Sequence, residues 1–142
     1  MVSIELTRVE GDFGFEAKDA NGHVVRLDGQ HGPEQVNFGV RPMQLLLMGV
    51  GGCAGIDIVS ILKKQRQTID GFDMKITGER EAGVEPSVWK SVNIMFELKG
   101  SIDIEKAKKA CALSMDKYCS VGETLKRAGC NITWDVKVEH AV

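Results

Sequence analysis

The amino-acid sequence predicts an α+β fold in which antiparallel strands surround a long buried central helix, with a second, split helix near the C-terminus. Three observations carry this reading. Short stretches at both ends alternate apolar and polar residues, the period of a half-buried strand. One run, Pro42 to Lys64, is apolar on nearly every side, as expected of a helix buried all round. Beyond Ile102 a helical spacing stops and restarts near Ser120.

From Val2 to Leu6 apolar residues alternate with Ser3 and Glu5, and Gly11-Asp12 marks a turn. Phe13, Phe15 and Ala17 repeat the alternation. Asn21-Gly22 is a hairpin signal leading into a third strand, Val24 to Leu27, so the chain opens as an antiparallel meander. Gly29 to Gly39 reads as a long loop of the kind that carries binding groups.

The central helix opens on Pro42 and ends on Lys63-Lys64, which suit a helix start and a helix end respectively. Its glycines at 49, 51, 52 and 55 each cost roughly 1 kcal/mol against alanine in a helix interior. Close approach of another backbone or of a ligand is the physical reason to keep them. Phe72, Met74 and Ile76 then define a strand. Val92, Ile94, Phe96 and Leu98 share one face of the next, which pairs with it as a hairpin.

Asp103 is placed to cap the following helix, with Ile102 and Ala107 as a hydrophobic staple. Its inner face is Ala107, Cys111, Ser114, Met115 and Tyr118. Ser120-Val-Gly-Glu123 fits a capping box for a short helix to Arg127, closed by Gly129. Ile132, Trp134, Val136 and Val138 form the last strand. The whole of 1–142 reads as one domain, without repeats or low-complexity segments. Since these elements have difficulty covering an all-round apolar helix, a homodimer that shares it between subunits is expected.

A net charge of −2 without a basic run gives no reason to expect nucleic acid or an anionic membrane as a partner. Leu45 to Leu62 is long enough to span a membrane, and Gly51-xxx-Gly55 matches a membrane packing pattern. Asp57 and Ser60 within the run, its marginal length and the strand-like segments around it favour a buried core helix instead. The N-terminus, Met-Val-Ser-Ile-Glu, lacks the pattern of a signal peptide, and the expected compartment is the cytosol. Four cysteines, at 53, 111, 119 and 130, form no CxxC pair and are too sparse for a disulfide scaffold.

Cys53 lies on the helix face of Leu46, Gly49, Ile56 and Ser60, with Asp57 one turn later. A packed core thiol is the plain alternative to a reactive one. The helix start is about three turns away, too far for the helix dipole to lower the thiol pKa, and Asp57 opposes ionisation if it points the same way. A cation must come from elsewhere, and Arg26 and Arg41 are the candidates. Cys119 precedes the Ser120 helix, whose free amides favour a thiolate, so local electrostatics prefer it, against a plain helix-junction role. Cys111 and Cys130 share the parity of packing residues.

His23, His31 and His140 have neither the spacing nor the cysteine partner of a zinc site, and no metal or cofactor is expected. Glu34 and Gln35 are loop groups, solvated or binding. Gly49-Val-Gly-Gly lacks the preceding strand and the following Lys-Ser/Thr of a phosphate loop, and no Ser-His-Asp order is readable.

At its cysteines the chain resembles the OsmC/Ohr family, the osmotically inducible and organic hydroperoxide resistance proteins, in its YhfA-like branch. The resemblance rests on Arg41-Pro42 followed by Gly-Gly-Cys53-Ala-Gly-Ile-Asp-Ile-Val-Ser-Ile-Leu-Lys-Lys, on Lys117-Tyr-Cys119-Ser-Val-Gly-Glu-Thr-Leu, and on the final strand. It implies an intertwined α+β homodimer with central helices enclosed by sheets and two sites at the subunit interface. It further implies Cys53 as peroxidatic thiol, Cys119 as resolving thiol, an organic hydroperoxide as substrate, and a dithiol or lipoylated protein as reductant. In Ohr-like members a glutamate directly after the proline helps hold the catalytic arginine; here Met43 stands there. The resemblance thus points to a cysteine-based peroxidase of the oxidative stress response. The alternative is a non-enzymatic fold-mate that binds a small apolar ligand or senses oxidation.

Overall fold

The computed structural model describes residues 1–29 and 37–140, so His31, Glu34 and Gln35 lie outside the described residues. The architecture is α+β, with two three-stranded sheets. By internal contacts the chain divides into two units, Met1–Leu46 and Leu47–Val142.

In the first unit β1 (Glu5–Glu10), β2 (Gly14–Lys18) and β3 (Val24–Leu27) form an antiparallel meander. Asp19 shapes the second turn by accepting from the backbone N–H groups of Asn21 and His23, at 3.0 and 2.9 Å. Beyond β3, Val40 bridges Leu27: its N–H donates to Arg26 O (3.0 Å) and its carbonyl accepts from Asp28 N–H (2.9 Å). The first strand departs from expectation. It begins at Glu5 rather than Val2 and is exposed throughout, with Leu6 and Val9 both outward enough to be wetted. Alternation there marks a strand, but neither of its faces is buried among the described residues.

The helix α1 (Pro42–Lys64) carries the chain into the second unit. There β4 (Thr68–Arg80) and β5 (Trp89–Ser101) pair antiparallel, and β6 (Asn131–Glu139) lies parallel to β5. A parallel neighbour cannot be reached by a tight turn. The crossover is α2 (Ile104–Leu113), a π-helical turn (Ser114–Tyr118) and α3 (Ser120–Arg127).

The buried core belongs to this second unit: Val50, Ala54, Ile58 and Leu62 from α1, Val92, Ile94, Phe96 and Leu98 from β5, and Ala107, Ala110 and Cys111 from α2. Phe96 sits between the rings of Phe72 and Trp134, with centroids 6.2 and 6.3 Å away. Two of the helix glycines explain themselves. A Cβ at Gly51 would come within 2.5 Å of Ile76 Cδ1, and one at Gly55 within 2.9 Å of Met74 Cε, so β4 packs against bare helix backbone.

α1 passes the length and composition test for a membrane span, but it is not buried all round as the sequence suggested. One face enters the core, while Leu46, Met48, Gly52 and Ile56 are exposed, Ile56 at 74%. One sheet and one crossover can cover only one side of a cylinder.

The end of α1 is a Schellman closure, with Gln67 N–H donating to Leu62 O (2.9 Å) and Arg66 N–H to Lys63 O (3.0 Å). Arg66 takes the left-handed position at φ 60°. In α2 the predicted cap holds: Asp103 accepts from Lys106 N–H at 3.0 Å. Gly129 closes α3 at φ 97°, with the same pair of bonds to Leu125 O and Lys126 O.

Two local readings need correcting. Tyr118 is half exposed rather than on the inner face, because the wider π turn rotates it away from the stripe that Ser114 and Met115 continue. Nor does Ser120 cap α3. The cap is Cys119, and the Glu123 carboxylate pairs with Arg127 at 3.3 Å instead of reaching back.

Candidate functional site

Cys53 stands on α1 three residues after Val50, whose side chain anchors the helix in the core. Asp57 follows one turn later on the same helix face, as the spacing of four requires. Cys119 arrives from the crossover, where the π turn ends and α3 begins. The Sγ atoms of Cys53 and Cys119 and a carboxylate oxygen of Asp57 all lie within 4.8 Å of one another. Two thiols separated by 66 positions in sequence thus share one site, and all four cysteines are reduced.

Cys53 and Asp57 are half-buried, while Cys119 is only 3% exposed. The Cys119 thiol is satisfied as donor and as acceptor: its S–H points to Val50 O at 3.9 Å and its Sγ accepts from Gly122 N–H at 3.3 Å. The buried Ser114 hydroxyl, on the π turn, donates to Asp57 Oδ2 at 3.0 Å and fixes the carboxylate.

Electrostatics at Cys119 run opposite to the sequence reading. Burial pushes its thiol up to about 11, assisted by the neighbouring Cys53 and by the Asp57 charge. The helix amide foreseen for it is present, as Gly122 N–H, and acts downward, but desolvation outweighs it. Cys119 is therefore held as a neutral thiol near neutral pH. Cys111 and Cys130 are buried packing residues, as expected, and burial pushes Cys111 up to about 12.

Of the other predicted residues, Arg26 and Arg41 belong to the first unit. The Arg26 guanidinium lies 5.1 Å from the ring centroid of Phe38. Arg41 Nη1 donates to Asn37 Oδ1 at 3.2 Å and to Gly39 O at 3.3 Å. His23 pairs with Asp19 at the surface (2.8 Å), and His140 is exposed.

Two hollows flank the relevant elements, each within one unit. A polar groove of about 310 Å³ runs beside Cys119, lined among others by Lys117, Tyr118, Ser120, Glu123 and Arg127. In the first unit an almost wholly apolar hollow of about 280 Å³ is lined by Leu6, Phe13, Phe15, Leu27 and Pro42, with Asp28 and Gly29.

Sequence reasoning missed Ser114 as a polar partner, having placed it merely on an inner helix face. It left open whether Asp57 points the same way as Cys53, and it joined Cys53 to Cys119 only through the family resemblance. The spacing of four between Cys53 and Asp57 was the available signal; nothing local announced Cys119 as their neighbour.

Comparison with known proteins shows the same fold and a family. The family model described as OsmC-like protein matches residues 31–135. Protein YhfA of Escherichia coli (strain K12) is 39% identical over 132 residues, covering 92% of each chain. The crystal structure of an OsmC-like protein from Mycoplasma pneumoniae superposes with a TM-score of 0.82 at 19% identity, over 99% of this chain and 98% of that one. The organic hydroperoxide resistance protein OhrB of Bacillus subtilis gives a TM-score of 0.65 at 17% identity, over 96% and 98%.

Proposed function

This chain belongs to the OsmC-like family, and from that premise we propose that it is a thiol-dependent peroxidase of organic hydroperoxides, with 1–142 acting as one domain. The observation that carries the reading is the approach of the Cys53 and Cys119 sulfurs to within 4.8 Å. A relative of the same fold bears the name organic hydroperoxide resistance protein, which supports the substrate class.

In the proposed cycle the Cys53 thiolate attacks the outer oxygen of the hydroperoxide. The O–O bond breaks, the alkoxide takes a proton and leaves as alcohol, and Cys53 becomes a sulfenic acid. Cys119 then attacks the sulfenic sulfur, water leaves, and a disulfide joins the two. An external dithiol, free or on a lipoylated protein, restores both thiols by exchange. The division of labour fits the burial. Cys53, half-buried, is open to substrate, while Cys119, buried beside it, gives up its proton as it attacks the sulfenic sulfur. The groove beside Cys119 suits the reductant's approach. Activation of Cys53 is assigned to Arg26 or Arg41.

The test is consumption of tert-butyl or cumene hydroperoxide with a dithiol reductant. Cys53→Ser abolishes it, and Cys119→Ser leaves a single turnover. Undiminished consumption in Cys53→Ser would overturn the assignment. Arg26→Met and Arg41→Met, each assayed alone, identify the activating cation.

The protein also acts as a homodimer in this reading, and its location is cytoplasmic. Support comes from the exposed apolar face of α1, with Ile56 and Leu46, and from the exposed Val9, Val24 and Val25 of the first sheet. Ile56→Arg then gives a monomer by size-exclusion chromatography. A wild-type monomer at micromolar concentration would remove the dimer from the proposal.

A second reading is favoured by the apolar hollow among Phe13, Phe15 and Leu27: a non-enzymatic protein that takes up a small apolar ligand. No hydroperoxide consumption, together with saturable uptake of such a ligand that Phe15→Asp abolishes, would select it.

A further inference from the structure

We propose that reduced Cys53 and Cys119, with Asp57, form a binding site for zinc or a similar thiophilic divalent cation. The three ligand atoms lie within 4.8 Å of one another. In a tetrahedral site with Zn–S about 2.3 Å and Zn–O about 2.0 Å, ligand atoms stand roughly 3.5 Å apart. Closing the present triangle therefore requires a contraction of at most about 1.3 Å, within the reach of rotamer adjustment.

The donor set suits this ion. Two thiolates and one carboxylate satisfy a borderline-soft cation, and three protein ligands leave a fourth position for water. Cys53 and Asp57 come from one rigid helix, one turn apart, and Cys119 from the cap of another. Both polar members have supporting partners already in place. Ser114 Oγ donates to Asp57 Oδ2 (3.0 Å), and Gly122 N–H donates to Cys119 Sγ (3.3 Å), the kind of outer contact that orients ligands and stabilises a bound thiolate. Cys53 and Asp57 are half-buried, which leaves the cation a way in.

On binding, each sulfur enters as a thiolate, any proton it still holds passing to solvent, and two metal–sulfur bonds form with no change of oxidation state. The S–H contact from Cys119 to Val50 O is given up in exchange. Metal would then hold the two thiols that the proposed peroxidase cycle needs, and hydroperoxide consumption would stop until the metal was removed. The site itself does not depend on that cycle, because it is read without hydroperoxide.

The experiment titrates Co(II), then Zn(II) in competition, into the full-length reduced chain. The expected result is one equivalent per chain and a thiolate-to-cobalt charge-transfer band that zinc displaces. Cys53→Ser and Cys119→Ser each weaken binding at least about 100-fold, and Asp57→Asn at least about 10-fold. Cys130→Ser, outside the site, leaves it unchanged. Because a site variant can fail to fold, zinc must also slow alkylation of Cys53 in the wild-type chain. Absence of the band, a band that survives loss of either thiol, or alkylation indifferent to zinc would overturn the proposal. Failure of the peroxidase assay with an intact metal titration would leave it standing.

Discussion

The Ser114 hydroxyl donates to Asp57 Oδ2 over 3.0 Å, tying the π-helical turn to the central helix α1 at the level of the two thiols. Ser114 is fully buried, and its partner is a carboxylate, so the bond is of the stronger kind. Ser114→Ala leaves the acceptor short of a donor and is expected to cost about 1–2 kcal/mol. A lower urea midpoint with an unchanged slope is the signature. Ser120→Ala, at an exposed position, serves as the control and should move the midpoint little.

Asp57 also bears on Cys119 through its charge, which is among the causes that raise the thiol. Replacing it by asparagine keeps an acceptor for Ser114 and removes the charge. The midpoint for Cys119 alkylation against pH should fall in Asp57→Asn, yet stay above the ordinary thiol value, because burial is the larger cause. A midpoint that rises, or one that drops to the ordinary value, would contradict this ordering.

Alkaline pH should weaken the reduced fold. Cys119 and Cys111 titrate at about 11 and about 12 when folded, against an ordinary value of 9.0. Above pH 9 the unfolded chain sheds these protons while the folded chain keeps them, so the unfolded state binds fewer protons and stability falls as pH rises. Their contribution is whole below pH 9 and is lost progressively up to the folded values. Urea melts at pH 8, 9 and 10 under reductant should show the decline, and Cys111→Ala should flatten it whatever its stability at pH 8. A decline equally steep in that variant would assign it to other groups.

Most of the local architecture was legible because its causes are local. Val24–Leu27 and the span of α1 follow from turn signals, alternation, Pro42 and the closing lysines; the Asp103 cap follows from its own helix. What escaped depends on distant partners. The parallel pairing of β6 with β5 joins residues some 40 positions apart, such as Ile94 and Trp134, and leaves no mark in either strand. Tyr118 was misplaced because one π turn shifts the helical stripe, and no side chain announces that turn. At the candidate site, both thiols could be singled out from the sequence. The protonation of Cys119 was not, because desolvation by the packed core overrides the amide that the sequence does reveal.

Arg66 offers a way to stabilise the chain without touching the site. It holds the left-handed position that ends α1, where a Cβ is strained and glycine is at ease. Arg66→Gly should add about 1 kcal/mol, raising Tm by about 3 °C for a chain of this size. An unchanged or lower Tm would mean that contacts of the Arg66 side chain outweigh the backbone strain.

Cys119 performs a structural task that the choice of mutant must respect. Its Sγ caps α3 by accepting from Gly122 N–H, so removal of the sulfur takes away a helix cap along with a thiol. Serine restores an acceptor of the kind preferred at this position, and alanine does not. Cys119→Ala should therefore be less stable than Cys119→Ser by about 1 kcal/mol, while both lose the ability to close a disulfide with Cys53. Thermal melts of the two reduced variants measure the difference directly. Equal stabilities would show that the sulfur contributes nothing as a cap, and either variant would then serve for kinetics. If the gap appears, only Cys119→Ser separates the chemistry of the thiol from the integrity of the helix that carries it.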